Sequence, residues 1–288
     1  MYKLKKKVIY FLEGTGLLLI FIFLRILPLN TSSFLMGKLS SLIGPKLGVT
    51  KNAYNNIKNV MPEKNEKETL KIIKNMWENL GRVIGEYPHL KKLVPGKNNK
   101  IQVCGIKNLL LVKKTKTPAI FFSAHLANWE ICPIIAFKNN IPVLTIFRKP
   151  NNPIVNFLIQ YLRSDLSMAP KGMEGAKKII HSLRNGISIG LIIDQKMNDG
   201  IEVPFFNKPA MTSDSLAQLC LRIKSLVVPV QVERIKNTNF KITFHDPIKI
   251  SKNGVKKSSF QIMTEVNLII EKWIRKNPKQ WLWLHRRW

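Results

Sequence analysis

His125 and Glu130 stand five positions apart in the run HLANWE at 125–130. On one continuous helix that spacing turns the two side chains away from each other. Across a strand–turn–helix corner they can meet. The preceding run AIFFSA at 119–124 is apolar throughout except for its serine, the pattern of a buried strand, and it delivers His125 to a strand's carboxyl edge. Asn128 suits the N-cap position, so Glu130 falls in the first turn of the next helix, where the helix dipole favours an anion. A carboxylate beside an imidazole fixes its tautomer and supports the imidazolium formed when the ring accepts a proton, as in the His–acid half of a hydrolase triad. By spacing alone, a structural hydrogen-bonded pair is the commoner meaning of such a His and Glu.

The partners that other chemistries need are missing from the sequence. It contains no G-x-S-x-G elbow, no glycine-rich phosphate loop of either nucleotide-binding type, and no His or Cys cluster with metal-ligand spacing. A histidine base with no protein nucleophile leaves a hydroxyl of the substrate to attack, which is direct acyl transfer. Other polar groups fall at equivalent edges. Arg148 follows an expected strand at 143–147, Arg163 ends an expected helix at 153–163, and Asp194 and Gln195 follow an expected strand at 188–193. Taken singly, each reads as a solvated or capping residue; gathered beside His125 they form a convergent polar site. Arginine and lysine in such a site suit phosphate groups or a developing oxyanion, and Arg163 is the expected oxyanion donor.

The elements that must position these groups alternate. Short β-rich runs at 101–104, 119–123, 143–147, 188–193, 227–232 and 241–244 are separated by helical patterns at 129–138, 153–163, 174–185 and 212–224, with a last long helix at 258–276. Strands separated by helices of this length imply right-handed crossovers and a mainly parallel central sheet flanked by helices, an α/β class. Residues 50–95 read as helical, most clearly at 64–80, and are expected to cover one side of the sheet. Reactive groups in such sheets collect at the carboxyl ends of strands.

At 45% apolar residues the 288-residue chain is no disordered basic tail, although 47 Lys and Arg against 17 Asp and Glu give it a formal net charge of +30. Nucleic acid, an anionic membrane and an acidic protein or phosphorylated substrate would all be attracted. No helix-turn-helix or aromatic RNA-binding signature accompanies the charge, so nucleic acid is not the expected partner. Cys104, Cys132 and Cys220 stand far apart, which argues against a disulfide framework. Residues 8–24 form an apolar run flanked by lysines and closed by Arg25. As a helix they span roughly 25 Å, slightly less than a bilayer's hydrocarbon core. The expected division is an N-terminal membrane anchor at 1–28, spanning or lying in one leaflet, and a catalytic domain at 29–288. In the run QWLWLHRRW at 280–288, Trp281, Trp283 and Trp288 suit either packing or an interface. His285, with no acidic neighbour in sequence, is not the expected base.

HLANWE at 125–130, FRKPNNP at 147–153, the stretch from Arg163 to Lys171-Gly172, IIDQ at 192–195 with VPFFNKPAMT at 203–212, NIKNVMPE at 56–63 and the terminal WLHRRW together resemble the late acyltransferases of lipid A biosynthesis, within the glycerolipid-type acyltransferase superfamily. The resemblance covers nearly the whole chain. It implies a glycerolipid-acyltransferase-like fold and a His125–Glu130 dyad, with Arg148, Arg163, Lys171, Asp194 and Gln195 as substrate-binding positions. It also implies a lauroyl- or myristoyl-type transfer from an acyl-acyl-carrier-protein thioester, with no other cofactor, to a hydroxyl of the lipid A precursor Kdo-lipid IVA. The active site would lie on the cytoplasmic side of a bacterial inner membrane, whose lipids are further partners. Two departures are visible: Ala127 replaces the usual glycine of the signature, and Phe147 stands where tyrosine commonly precedes the arginine. Another phospholipid or glycolipid acceptor is the alternative within the same chemistry.

Overall fold

A computed structural model describes residues 2–95, 101–164 and 166–288. The chain begins with α1 (Tyr2–Ile26), α2 (Leu29–Ile43), α3 (Thr50–Val60) and α4 (Glu66–Glu86). The sheet is then laid down by β1 (Ile101–Cys104), α5 (Ile106–Thr115), β2 (Ala119–Ser123), α6 (Ile131–Lys138), β3 (Val143–Phe147), α7 (Pro153–Leu162), β4 (Ser167–Pro170), α8 (Met173–Arg184) and β5 (Ser188–Ile192). A hairpin of β6 (Lys196–Phe205) and β7 (Lys208–Thr212) follows, then α9 (Ser215–Arg222), β8 (Leu226–Lys236), β9 (Asn239–Phe244), a short pair β10 (Ser251–Lys252) and β11 (Val255–Lys256), and α10 (Ser259–Lys276).

Seven strands form the central sheet in the order β1-β9-β8-β2-β5-β3-β4, parallel throughout except where β8 meets β9. The fold class read from the sequence is therefore the observed one. β2 is buried at every position because it lies mid-sheet with both faces covered. Its Ile120 and Phe122 join a core with α3, α4, α9 and α10, while Ala119 and Phe121 join a second core with α5 and α6. α4 and α10 each open on a capping box, Asn65 with Glu68 and Ser258 with Gln261, which satisfies amide groups that a helix start leaves free. Five of the described strands were not anticipated: β4, β6, β7, β10 and β11. β4 is a four-residue edge strand ending in Pro170, and β6 carries a register irregularity between Lys196 and Ile201 that breaks its alternation.

α1 is long and apolar enough to cross a membrane, yet it is not detached from the body. Gly14, Phe21 and Leu24 are buried, and Tyr10 and Leu17 are half-buried, a stripe spaced at four and three residues. Gly14 is needed where it stands: an added Cβ would lie 2.6 Å from Cβ of Ile154 on α7. Phe21 and Leu24 cluster with Leu158 of α7. Asn152 Nδ2 donates to Tyr10 O at 2.8 Å, and the buried His89 ring meets Leu24 O at 2.9 Å. The remaining faces are exposed and apolar, including Phe11, Leu12, Leu19 and Phe23, as are Leu42 of α2 and Phe157 and Tyr161 of α7. Deleting residues 1–27 should therefore both weaken membrane binding and uncover the α7 seam. Sedimentation with salt-washed membranes should show loss of partitioning together with aggregation; unchanged partitioning would mean that the basic surface alone holds the protein on lipid.

Candidate active site

The register of the sheet builds the site. β2 and β5 are parallel neighbours with Ser123 beside Ile192, so the residues two further along each chain, His125 and Asp194, emerge side by side at the carboxyl edge. His125 Nδ1 lies 2.8 Å from Asp194 Oδ1, and the His125 backbone N–H donates to Oδ2 at 2.9 Å. Trp281 Nε1 donates to the same Oδ2 at 2.6 Å. Burial alone would raise the Asp194 pKa, but the His125 ring, these N–H donors and the indole outweigh it and hold the carboxyl at about 2. Asp194 is thus a carboxylate that can only accept, so Nδ1 of His125 carries the proton and Nε2 presents a lone pair. Burial disfavours the His125 cation; the Asp194 charge, its hydrogen bond and the further charge of Glu130 more than compensate, and the net shift is upward.

The expected hydrogen bond from His125 to Glu130 is not made. Glu130 instead pairs with Arg163 at the end of α7 and accepts from Trp129 Nε1 at 3.1 Å. The reason is the corner itself. The chain leaves β2, turns at Ala127 in the left-handed region (φ 51°), and carries Glu130 on to the start of α6, away from the imidazole and towards α7. A left-handed alanine costs roughly 1–2 kcal/mol that glycine avoids, and the surroundings hold it there. Ala127 O accepts from Asn79 Nδ2 at 3.1 Å, and Ala127 N donates to Gln280 O at 3.0 Å. Asn128 Nδ2 donates to Glu86 Oε2 at 2.8 Å, and the fully buried Glu86 is paired with Arg234. Asn128 Oδ1 also accepts from Glu130 N at 3.2 Å, but Asn128 is not the N-cap anticipated: α6 begins at Ile131, and Glu130 itself takes the N-cap position.

A cavity of about 730 Å³ opens over this edge. His125, Glu130, Arg148, Arg163, Lys171 and Gln195 line it together, while Asp194 lies behind His125 with 1% of its side chain exposed. All seven residues singled out in the sequence are thus brought to one place. His285 lines the cavity too, which the sequence did not reveal. The rest of the wall is apolar, with Phe121, Cys132, Ala136, Val143 and Gly190 among its members. Burial pushes the Cys132 thiol up to about 12, which disfavours the thiolate that a nucleophile needs.

Arg163 is less free than anticipated. Its Nη2 is engaged by Glu130, its Nη1 lies 3.8 Å from Met168 Sδ, and its guanidinium sits 5.5 Å from the Tyr87 ring centre. Burial and the Glu130 charge push the Tyr87 hydroxyl well above its ordinary range. Removing one partner of such a pair strands the other's charge in the wall. Glu130→Ala should lower unfolding free energy by about 3–5 kcal/mol, readable in denaturant titration. A loss of activity with stability intact would instead mean that Glu130 acts on the reaction directly.

The terminal aromatic run packs rather than faces lipid. Trp281 and Trp283 are buried with ring centres 4.5 Å apart, and Trp288 stacks on Phe205 at 5.5 Å. Leu282 N donates to His125 O at 3.1 Å, and Leu126 bridges to Trp281, so this segment straps the His125 corner.

The chain is similar to known proteins along nearly its whole length. The chain is 22% identical over 284 residues to the lipid A biosynthesis palmitoleoyltransferase of Escherichia coli K12, covering 96% of this chain and 91% of that protein. The lipid A biosynthesis acyltransferase of Shigella flexneri matches with the same identity and coverage. Residues 3–288 match the family described as bacterial lipid A biosynthesis acyltransferase, and to that family the chain belongs.

Proposed function

We propose that this acyltransferase moves a fatty acyl chain from an acyl-acyl-carrier-protein thioester to a hydroxyl of a lipid A precursor of the Kdo-lipid IVA type, by direct attack. The observation that carries the mechanism is the 2.8 Å contact between His125 Nδ1 and Asp194 Oδ1: a carboxylate there holds the Nδ1 proton, so Nε2 serves as the base in the cavity. The acceptor O–H bond breaks as its proton passes to Nε2, and a C–O bond forms at the thioester carbon. The carbonyl π pair moves onto oxygen. Collapse then breaks the C–S bond, and the departing sulfur takes the proton back from Nε2.

The apolar wall suits the acyl chain, and Arg148 and Lys171 at the rim suit the acceptor's phosphates. Glu130 keeps Arg163 in the wall and adds to the field that favours the imidazolium. Residues 1–28 form the anchor of the catalytic body at 29–288, and the exposed apolar faces of α1, α2 and α7 suit the inner-membrane surface. A net charge of +30 suits three anionic partners at once: carrier protein, phosphorylated acceptor and the cytoplasmic leaflet. The family contains a transferase named for palmitoleate, so the acyl preference is a matter for assay, with lauroyl or myristoyl the expected donor.

The test is direct. Purified protein is supplied with lauroyl-, myristoyl-, palmitoyl- and palmitoleoyl-acyl carrier protein and with Kdo-lipid IVA, and product masses are recorded. Transfer from at least one donor is the expected result. Transfer to lysophosphatidate but not to Kdo-lipid IVA would overturn the acceptor and leave the chemistry standing.

A further inference from the structure

The reaction above needs a donor for the oxygen that becomes negative at the thioester carbon, and the Arg163 guanidinium is held in the wall by Glu130 through Nη2. His285 and its side chain's partner Gln195 stand in the same cavity without a role. We propose that Gln195 supplies an N–H to the tetrahedral oxyanion and that His285 is the positioning residue that aims it. This rests on the acyl-transfer reading.

Gln195 follows Asp194 in the chain, so its backbone is registered against His125 by the strand end that pins Nδ1. Its amide nitrogen lies 2.7 Å from His285 Nε2 and 3.4 Å from His125 Nε2. The two protons of one –NH₂ group are therefore divided. One is held in a short bond to His285, and the other points at the base across a distance at the weak limit of a hydrogen bond.

The weaker contact is the one an acceptor hydroxyl displaces when it takes its place on Nε2. The freed N–H then lies beside the attacking oxygen. The oxyanion is bonded to the same tetrahedral carbon as that oxygen, so a rotation of the Gln195 side chain brings the freed N–H from one to the other. His285 must be neutral to accept from Gln195, and burial together with the neighbouring His125 lowers its pKa in that direction.

The placement of His285 is itself rigid. Asn56 Nδ2 donates to His285 O at 2.6 Å and to Trp283 O at 2.8 Å. Two residues on, buried Arg287 donates to Met211 O and to Thr212 Oγ1, each at 2.8 Å. A backbone held this firmly fixes where the His285 ring starts from, and preorganised donors are what makes an oxyanion site effective.

Steady-state kinetics with both substrates varied test the pair, using the intact protein and its purified variants. Gln195→Ala should lower kcat about 10²-fold, the lower end for one lost oxyanion donor, with both KM values within about twofold. His285→Ala should lower kcat about tenfold, the worth of one positioning hydrogen bond. His285→Gln, which restores an acceptor, should recover part of that loss. The double variant should be no slower than Gln195→Ala, because both substitutions remove the same interaction. Unchanged melting temperatures would exclude a merely structural effect. Full kcat in His285→Ala, multiplied losses in the double variant, or losses confined to the acceptor KM would each overturn the pair. If His285→Ala fails to fold, Gln195→Ala and His285→Gln carry the same comparison. A wild-type protein that transfers no acyl group at all would sink the reaction first, and the pair with it.

Discussion

Asp194→Asn should lower turnover by roughly 10⁴-fold while the protein still folds, because the substitution exchanges the tautomer of the base rather than removing a contact. Two N–H donors, the His125 backbone and the Trp281 indole, converge on Oδ2. An asparagine must turn its amide oxygen towards them. Its –NH₂ group then faces Nδ1 of His125, where a donor now meets the atom that used to donate. The imidazole can answer only by moving its proton to Nε2, and the lone pair that should take the acceptor's proton is gone. Turnover measured beside a melting curve decides it: a folded variant within about tenfold of wild type would remove Asp194 from the mechanism.

The second large effect is at His125 itself. His125→Ala should cost roughly 10²–10⁴ in turnover, the worth of a positioned general base, with membrane binding unchanged. The wild-type pH profile should carry a matching signature. The base is competent only when unprotonated, and its pKa is displaced upward by Asp194 and Glu130 against the opposing effect of burial. The acid limb of log kcat/KM should therefore begin above the ordinary histidine value of about 6.5 and fall with unit slope as pH drops. Residual activity in His125→Ala should lack that limb. A limb starting below the ordinary value would contradict the His125–Asp194 geometry.

The strands that carry the site were legible in the sequence because their signal is local. A run such as AIFFS announces a strand buried on both faces without reference to anything distant, and the helical spacing of α4, α8 and α10 does the same for helices. His125 could be placed at a strand end for that reason. Its partner could not. Glu130 was nearest in sequence, but the carboxylate that bonds the ring arrives from β5, and nothing in one sequence states that β2 and β5 are neighbours. Asp194 was visible as a strand-end group and its bond to His125 was not.

His285 was set aside for want of an acidic neighbour, and its partner is the amide of Gln195, far away in the chain. The Glu86–Arg234 pair that steadies the corner joins α4 to β8 and was equally beyond local reading. Ala127 is the opposite case. The departure from glycine was plain in the sequence, but only the backbone angle gives it a cost.

The strap formed by the residues from Gln280 onward also sets an order of assembly. A chain emerging from the ribosome makes β2 and its histidine first, then β5 with Asp194, and only much later the stretch that brings Trp281 to Asp194 and Leu282 to His125 O. Synthesis runs at about 5–20 residues per second, so the unfinished corner persists for many seconds, with α1 already made. The apolar helix can meet the bilayer while the base still lacks its indole partner. Closure of the His125–Asp194 corner thereby has to wait for the strap, long after β2, β5 and α1 have been made.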